Sequence, residues 1–136
     1  MKMKLTRLFV DDQDKALAFY TEVVGLVKKA DLPIGPFRWL TLVSPEEPEG
    51  TELLLERNDV PGAKTSQEAL FQHGIPATTF AVANLQHEYE RLTRLEVVWI
   101  REPRQVEPAT VAVFDDTCGN LIQLAQVYSA PQKDRA

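Results

Sequence analysis

The feature that most constrains this chain is an order of elements that it spells out twice. "LTRLFV" at residues 5–10 reads as a strand, and Asp12 can cap a helix whose apolar positions Ala16, Leu17, Phe19, Tyr20, Val23 and Val24 favour one side. Gly25 ends that helix. Two strand-like runs follow, "LVKKADL" and "FRWLTLV", separated by the breaker cluster "PIGP", and after the turn "SPEEPEG" comes the strand "TELLLER". From Ala77 the same order returns: "ATTFAV", a cap at Asn84 with Leu85, Tyr89 and Leu92 at helical spacing, then "EVVWI", "ATVAVF" and "LIQLAQV". One offset lays Leu5 on Ala77, Leu8 on Phe80, Val10 on Val82, Asp12 on Asn84 and Leu17 on Tyr89. Residue types repeat more faithfully than residues.

Two such modules need a shared core. With 136 residues and 44% hydrophobic content the chain has room for one domain. Module one covers about 4–57, a connector about 58–76, and module two about 77–127. Thr65 and Glu68 in the connector have capping-box spacing, which predicts the start of a short helix. The tail 128–136, "YSAPQKDRA", has little to bury and is expected to be mobile.

Composition excludes several partners. A net charge of −5 argues against nucleic acid, whose phosphates call for clustered Lys and Arg. No window approaches the ~18 consecutive apolar residues of a membrane helix, and the first twenty residues carry acids where a signal peptide is apolar. A single cysteine, Cys118, can form no internal disulfide. The expectation is a soluble, cytoplasmic protein that binds neither nucleic acid nor membrane.

"FVDDQDKALAFYTEVVGL" and "VFDDTCGNLIQLAQ" resemble the vicinal oxygen chelate superfamily of glyoxalases, bleomycin-resistance proteins and extradiol dioxygenases, and the resemblance covers about residues 4–127. It implies an α+β fold, with two tandem βαβββ modules forming a curved mixed-sheet cup and helices outside. It also implies a ligand pocket in the cup and a homodimer, the pocket being completed across the interface in several relatives. Metal-dependent relatives usually carry histidines on the first and fifth strands and glutamates on the fourth and eighth. Here those positions match Leu5, Ala77 and Gln123, while the fourth-strand position falls on Leu54, or on Glu52 or Glu56 after a slip of two. Leu5 and Ala77 have no electron pair to donate, so the resemblance implies a metal-free branch with no cofactor.

Strand alternation then names the pocket. If Leu5 faces the cup, so do Arg7 and Phe9; Thr79 and Ala81 follow beside Ala77, and Leu121 and Ala125 beside Gln123. Trp39, Thr41 and Trp99 are further candidates whose side no register fixes. Leu5, Arg7, Phe9, Trp39, Thr79, Trp99 and Gln123 are the expected ligand contacts. Arg7 would be costly to bury alone, so it should meet an acid such as Glu52 or Glu56, or a ligand anion.

The remaining chemistry-bearing residues read as structural. His87 falls on the polar face of its helix, His73 in a loop and Cys118 in a turn, while Asp11, Asp12, Asp115 and Asp116 sit at element ends where aspartate caps and turns. The expected function is metal-independent binding of an aromatic or anionic organic ligand. The alternative is a metal-dependent lyase, isomerase or dioxygenase using Glu56, Gln123 and His73, and a third reading is a purely structural or regulatory domain.

Overall fold

The computed structural model describes residues 1–128, so the tail from 129 onward lies outside the described residues. β1 (Leu5–Val10) leads into α1 (Gln13–Ala18), which continues as a π-helical turn over Phe19–Val24. β2 (Val27–Ile34), β3 (Phe37–Val43) and β4 (Glu52–Arg57) complete the first module. α2 (Ala63–Gln72) connects to β5 (Thr78–Ala81), α3 (Leu85–Arg94), β6 (Val98–Val106), β7 (Ala109–Asp115) and β8 (Leu121–Val127). The sheets have matching orders, β1-β4-β3-β2 and β5-β8-β7-β6. In each the outer first strand runs parallel to the last, and the other pairs are antiparallel. The fold is α+β, built from two βαβββ modules.

The repeat is chemical as well as topological. Asp12 Oδ1 accepts the Lys15 amide and Asn84 Oδ1 accepts the His87 amide, both at 3.0 Å, so equivalent caps start α1 and α3. Gly25 ends the first helical segment at φ 99°, a left-handed conformation that glycine adopts without a Cβ penalty.

Three local expectations change. β2 runs through Pro33 to Ile34 instead of stopping at the breaker cluster, and β6 likewise extends through Pro103. Both are edge strands, where a proline's missing N–H removes no bond from the sheet interior. The capping box does not form either: α2 begins two residues before Thr65, with Gly62 at its N-cap and no side-chain bond there.

Alternation along the strands decides what is buried. Leu8, Val10, Leu40, Leu42, Leu53 and Leu55 of the first sheet join Ala112, Phe114, Ile122 and Leu124 of the second in one cluster, together with Ala16, Tyr20, Leu85 and Leu92 from the helices. Each full burial of such a side chain contributes about 1.5–3 kcal/mol. Phe19 meets Phe114 at 6.0 Å and Tyr20 stands edge-on to Phe80 at 6.3 Å, so the first module's helix packs on the second module's sheet. The helix-bearing faces of both sheets therefore turn into a common core. Their other faces look outward, away from each other.

Candidate functional site

The outward face of the first sheet carries the most developed site. Leu8 and Val10 point into the core, so Leu5, Arg7 and Phe9 stand on the opposite face. Register puts Arg7 beside Leu54 and Phe9 beside Glu56 on β4, with Thr41 of β3 across from Leu54. Trp39 shares that face two residues before Thr41. Where β1, β3 and β4 meet the β2–β3 hairpin they leave a hollow of about 350 Å³, whose walls include Arg7, Ile34, Phe37, Trp39, Leu54 and Glu56.

Electrostatics leave this hollow largely neutral. Arg7 Nε donates to Glu56 Oε1, and at the rim Arg57 pairs with Asp59. Arg38 is held at 2.8 Å by Asp31 and at 2.6 Å by Asp14. Its guanidinium keeps the Asp31 carboxyl down at about 2. Every cation on the wall thus has a carboxylate partner, and an incoming anion would have to displace one. Beneath the face, the Thr41 hydroxyl is fully buried and has no hydrogen-bond partner among the described residues.

The structure brings together some of the expected contacts and separates others. Arg7 and Trp39 line the hollow, as does Glu56. Leu5 and Phe9 share their face but lie outside the hollow, Phe9 accepting through its carbonyl from Gln67 at 2.9 Å and Asn120 at 2.8 Å. Thr79 and Gln123 stand on the outward face of the second sheet, joined by a 3.2 Å hydrogen bond. Trp99 is a correction: it faces the core, tilted against Tyr89 at 4.7 Å and edge-on to Phe114 at 5.7 Å, with Nε1 donating to Thr93 Oγ1. Its register opposite Phe114 fixes that side, and no single-sequence pattern reveals it.

Ile34 and Phe37 are wall residues that sequence reasoning did not single out. Their signal was apolar side chains flanking the Gly35–Pro36 turn, where a tight hairpin calls for polar residues.

The positions that hold metal in relatives do not fit one here. Leu5 and Ala77 offer no donor, and Gln123 offers a neutral amide. Glu56 and Gln123 occupy outward faces on opposite sides of the shared core, and His73 lies at the end of α2 with Nδ1 2.8 Å from the Ala69 carbonyl oxygen. Among the described residues no three His, Cys, Asp or Glu side chains gather as a metal site. The alternative set Glu56, Gln123 and His73 is therefore not assembled within one chain.

Cys118 is equally remote from chemistry. Burial and the neighbouring Asp116 push its thiol up to about 12, so the reactive thiolate is disfavoured. Asp116 is also buried and its carboxyl is raised by that burial, although four donors from Tyr20, Cys118 and Asn120 offset part of the cost.

Comparison with known proteins identifies the family and the fold. The family model described as Glyoxalase/Bleomycin resistance protein/Dioxygenase superfamily matches residues 2–124. The uncharacterised protein YurT of Bacillus subtilis (strain 168) is 56% identical over 126 residues, spanning 93% of this chain and 99% of that protein. Among solved structures, UcmS2 superposes with a TM-score of 0.80 at 32% identity, covering 92% of this chain and 97% of the other. TnmS3, an antibiotic binding protein from Streptomyces sp. CB03234, gives 0.75 at 26% identity, covering 94% and 97%.

Proposed function

Because the chain belongs to the Glyoxalase/Bleomycin resistance protein/Dioxygenase superfamily, we propose that it is a cytoplasmic small-molecule binding protein holding an aromatic organic ligand, without a metal, against the outward face of its first sheet. The fold hosts many chemistries, so the reading rests on the site. One observation carries it: a hollow with Trp39, Phe37, Leu54 and Ile34 on its walls and its charges already paired. Its volume suits a small ligand, in the range of roughly 300–1,000 Å³ usual for such pockets. A flat ring system can stack on Trp39 or Phe37, an arrangement worth about 0.5–1.5 kcal/mol beyond area burial. The likeness to an antibiotic-binding protein supports a ligand of that general kind.

A second copy of the chain completes the cup in this reading. The outward faces expose Leu32, Ile34 and Phe37 on the first sheet and Val98, Ile100 and Val106 on the second. Two-fold pairing that lays the second sheet of one copy over the first sheet of the other would cover both and enclose the ligand.

The test is a titration with an anthraquinone and with the same ring system bearing a carboxylate, read by isothermal titration calorimetry. Saturable binding of the uncharged compound, weakened at least tenfold in Trp39→Ala, is expected. Equal affinity of wild type and Trp39→Ala, or no binding by either compound, would refute the assignment. If only the carboxylate binds, Arg7 is engaging an anion and the ligand class is wrong.

A further inference from the structure

The internal repeat creates two equivalent junctions between the modules, and they are built differently. Tyr20 and Leu92 hold matching places, each offering its carbonyl to the amide that ends its helix, Leu26 at 2.9 Å and Val97 at 3.1 Å. Asp116 and Ser44 each follow the third strand of a module, and Asn120 and Thr51 each precede the fourth. At one junction Tyr20, Asp116 and Asn120 form a closed buried network. At the other stand Leu92, Ser44 and Thr51, and all three line an open cleft of about 910 Å³. The cleft occupies the place where the seal is missing.

Its chemistry is two-sided. Its accessible apolar lining is Val24, Leu26, Phe80 and Val82, backed by the buried Leu42, Leu53, Phe114 and Leu124, and the mouth carries Glu46, Glu47, Glu52 and Glu88. Arg91, the one arginine on the lining, already donates to Glu88 at 2.8 Å and to the Val23 and Val24 carbonyls at 2.8 and 3.1 Å. Glu52 has Lys4 only at 4.0 Å, and among the described residues Glu46 and Glu47 have no ion-pair partner. Carboxylates over low-dielectric walls focus a negative potential into such a cleft, on a chain whose net charge is already −5.

We propose that this inter-module cleft is a second ligand site, distinct from the outward face of the first sheet, that takes a lipophilic ammonium compound. The apolar body lies on Val24, Leu26, Phe80 and Val82, and the ammonium meets Glu46 and Glu47. No covalent step is involved.

Fluorescence polarisation with rhodamine 6G, a lipophilic cation, tests the site, with anionic fluorescein as a probe of similar size. Rhodamine 6G should bind saturably at one per chain, and fluorescein should not bind. The double variant Glu46→Gln/Glu47→Gln should weaken rhodamine 6G at least tenfold, and Ser44→Asp/Leu92→Tyr, which rebuilds the seal, should abolish its binding. If the second variant fails to fold, the first decides, because its positions are exposed. Unchanged affinity in Glu46→Gln/Glu47→Gln, or equal binding of fluorescein, would overturn the proposal. So would loss in Trp39→Ala alone, which places the probe on the outward face instead.

Discussion

Tyr20 Oη donates to Asp116 Oδ2 across 2.5 Å, binding the helix of one module to the strand end of the other. The same carboxylate accepts from the Asn120 amide side chain at 2.8 Å and from the Cys118 and Asn120 backbone amides at 2.7 and 2.9 Å. Tyr20→Phe keeps the ring against Phe19 and Phe80 but removes one donor from a buried carboxylate. The expected cost is about 1–3 kcal/mol, because a buried acceptor is left short of a partner. Urea unfolding measures it. A loss under about 0.5 kcal/mol, within the usual scatter of surface substitutions, would mean the contact is not a clasp.

The Asp31–Arg38 pair makes a pH-dependent contribution whose sign is fixed. Arg38 donates to both Asp31 oxygens, at 2.8 and 2.9 Å, and Lys28 adds a contact at 3.3 Å, which together hold the carboxyl at about 2 against 3.8 unperturbed. A depressed carboxyl stabilises the fold above its unfolded value and loses that contribution as pH falls through the folded one. The effect should therefore be complete above about pH 4 and gone below about pH 2, and small because the pair is partly solvated. Asp116, raised by burial, acts in the opposite sense, so wild type minus Asp31→Asn isolates the pair. The gap in melting temperature should close between pH 4 and 2; a gap that stays constant would contradict the assignment.

Gly119 marks a second point where the modules touch. It sits at φ 104°, and a Cβ there would lie 2.7 Å from Gln67 Nε2. That amide donates to Phe9 O at 2.9 Å, Asn120 Oδ1 at 3.1 Å and Cys118 O at 3.3 Å, so it cannot withdraw without breaking bonds to both modules. Gly119→Ala should cost roughly 1–3 kcal/mol from backbone strain plus the displaced amide. Gly62, also left-handed but with nothing within 4 Å of its Cβ position among the described residues, is the control for strain alone. Equal losses in chemical denaturation at the two sites would show that the Gln67 contact adds nothing.

The repeat was legible because it is written in caps and alternation. Asp12 and Asn84 are local signals, and Leu8, Val10, Ile122 and Leu124 follow the period of a half-buried strand. Register was not legible: Trp99 reads as an outward or inward residue with equal ease until its pairing with Phe114 is known. Nor was the joining of modules, because Tyr20 and Asp116 lie far apart in the chain and neither residue type announces a buried partner. Arg7 could be placed on the outward face because the core residues fix the face of its strand, and Ile34 and Phe37 went unread because a breaker cluster hid a hairpin of two edge-exposed apolar ends.

The vacant metal positions make a test of both the donor chemistry and the proposed dimer. Leu5 and Glu56 stand on the outward face of the first sheet, while Thr79 and Gln123 mark that of the second, beyond the shared core. Donors restored on the two sheets can meet only if two copies pair face to face. The wild-type melting temperature should be unmoved by manganese, nickel or zinc, whereas Leu5→His/Ala77→His/Gln123→Glu should gain a metal-dependent rise. Metal at a hundred times its dissociation constant stabilises a folded site by about 2.7 kcal/mol, enough for thermal scanning to register. Sedimentation velocity should show the loaded variant as a dimer. A shift in the wild type would show that other residues supply the ligands, and metal uptake by a monomeric variant would show that the two faces meet within one chain.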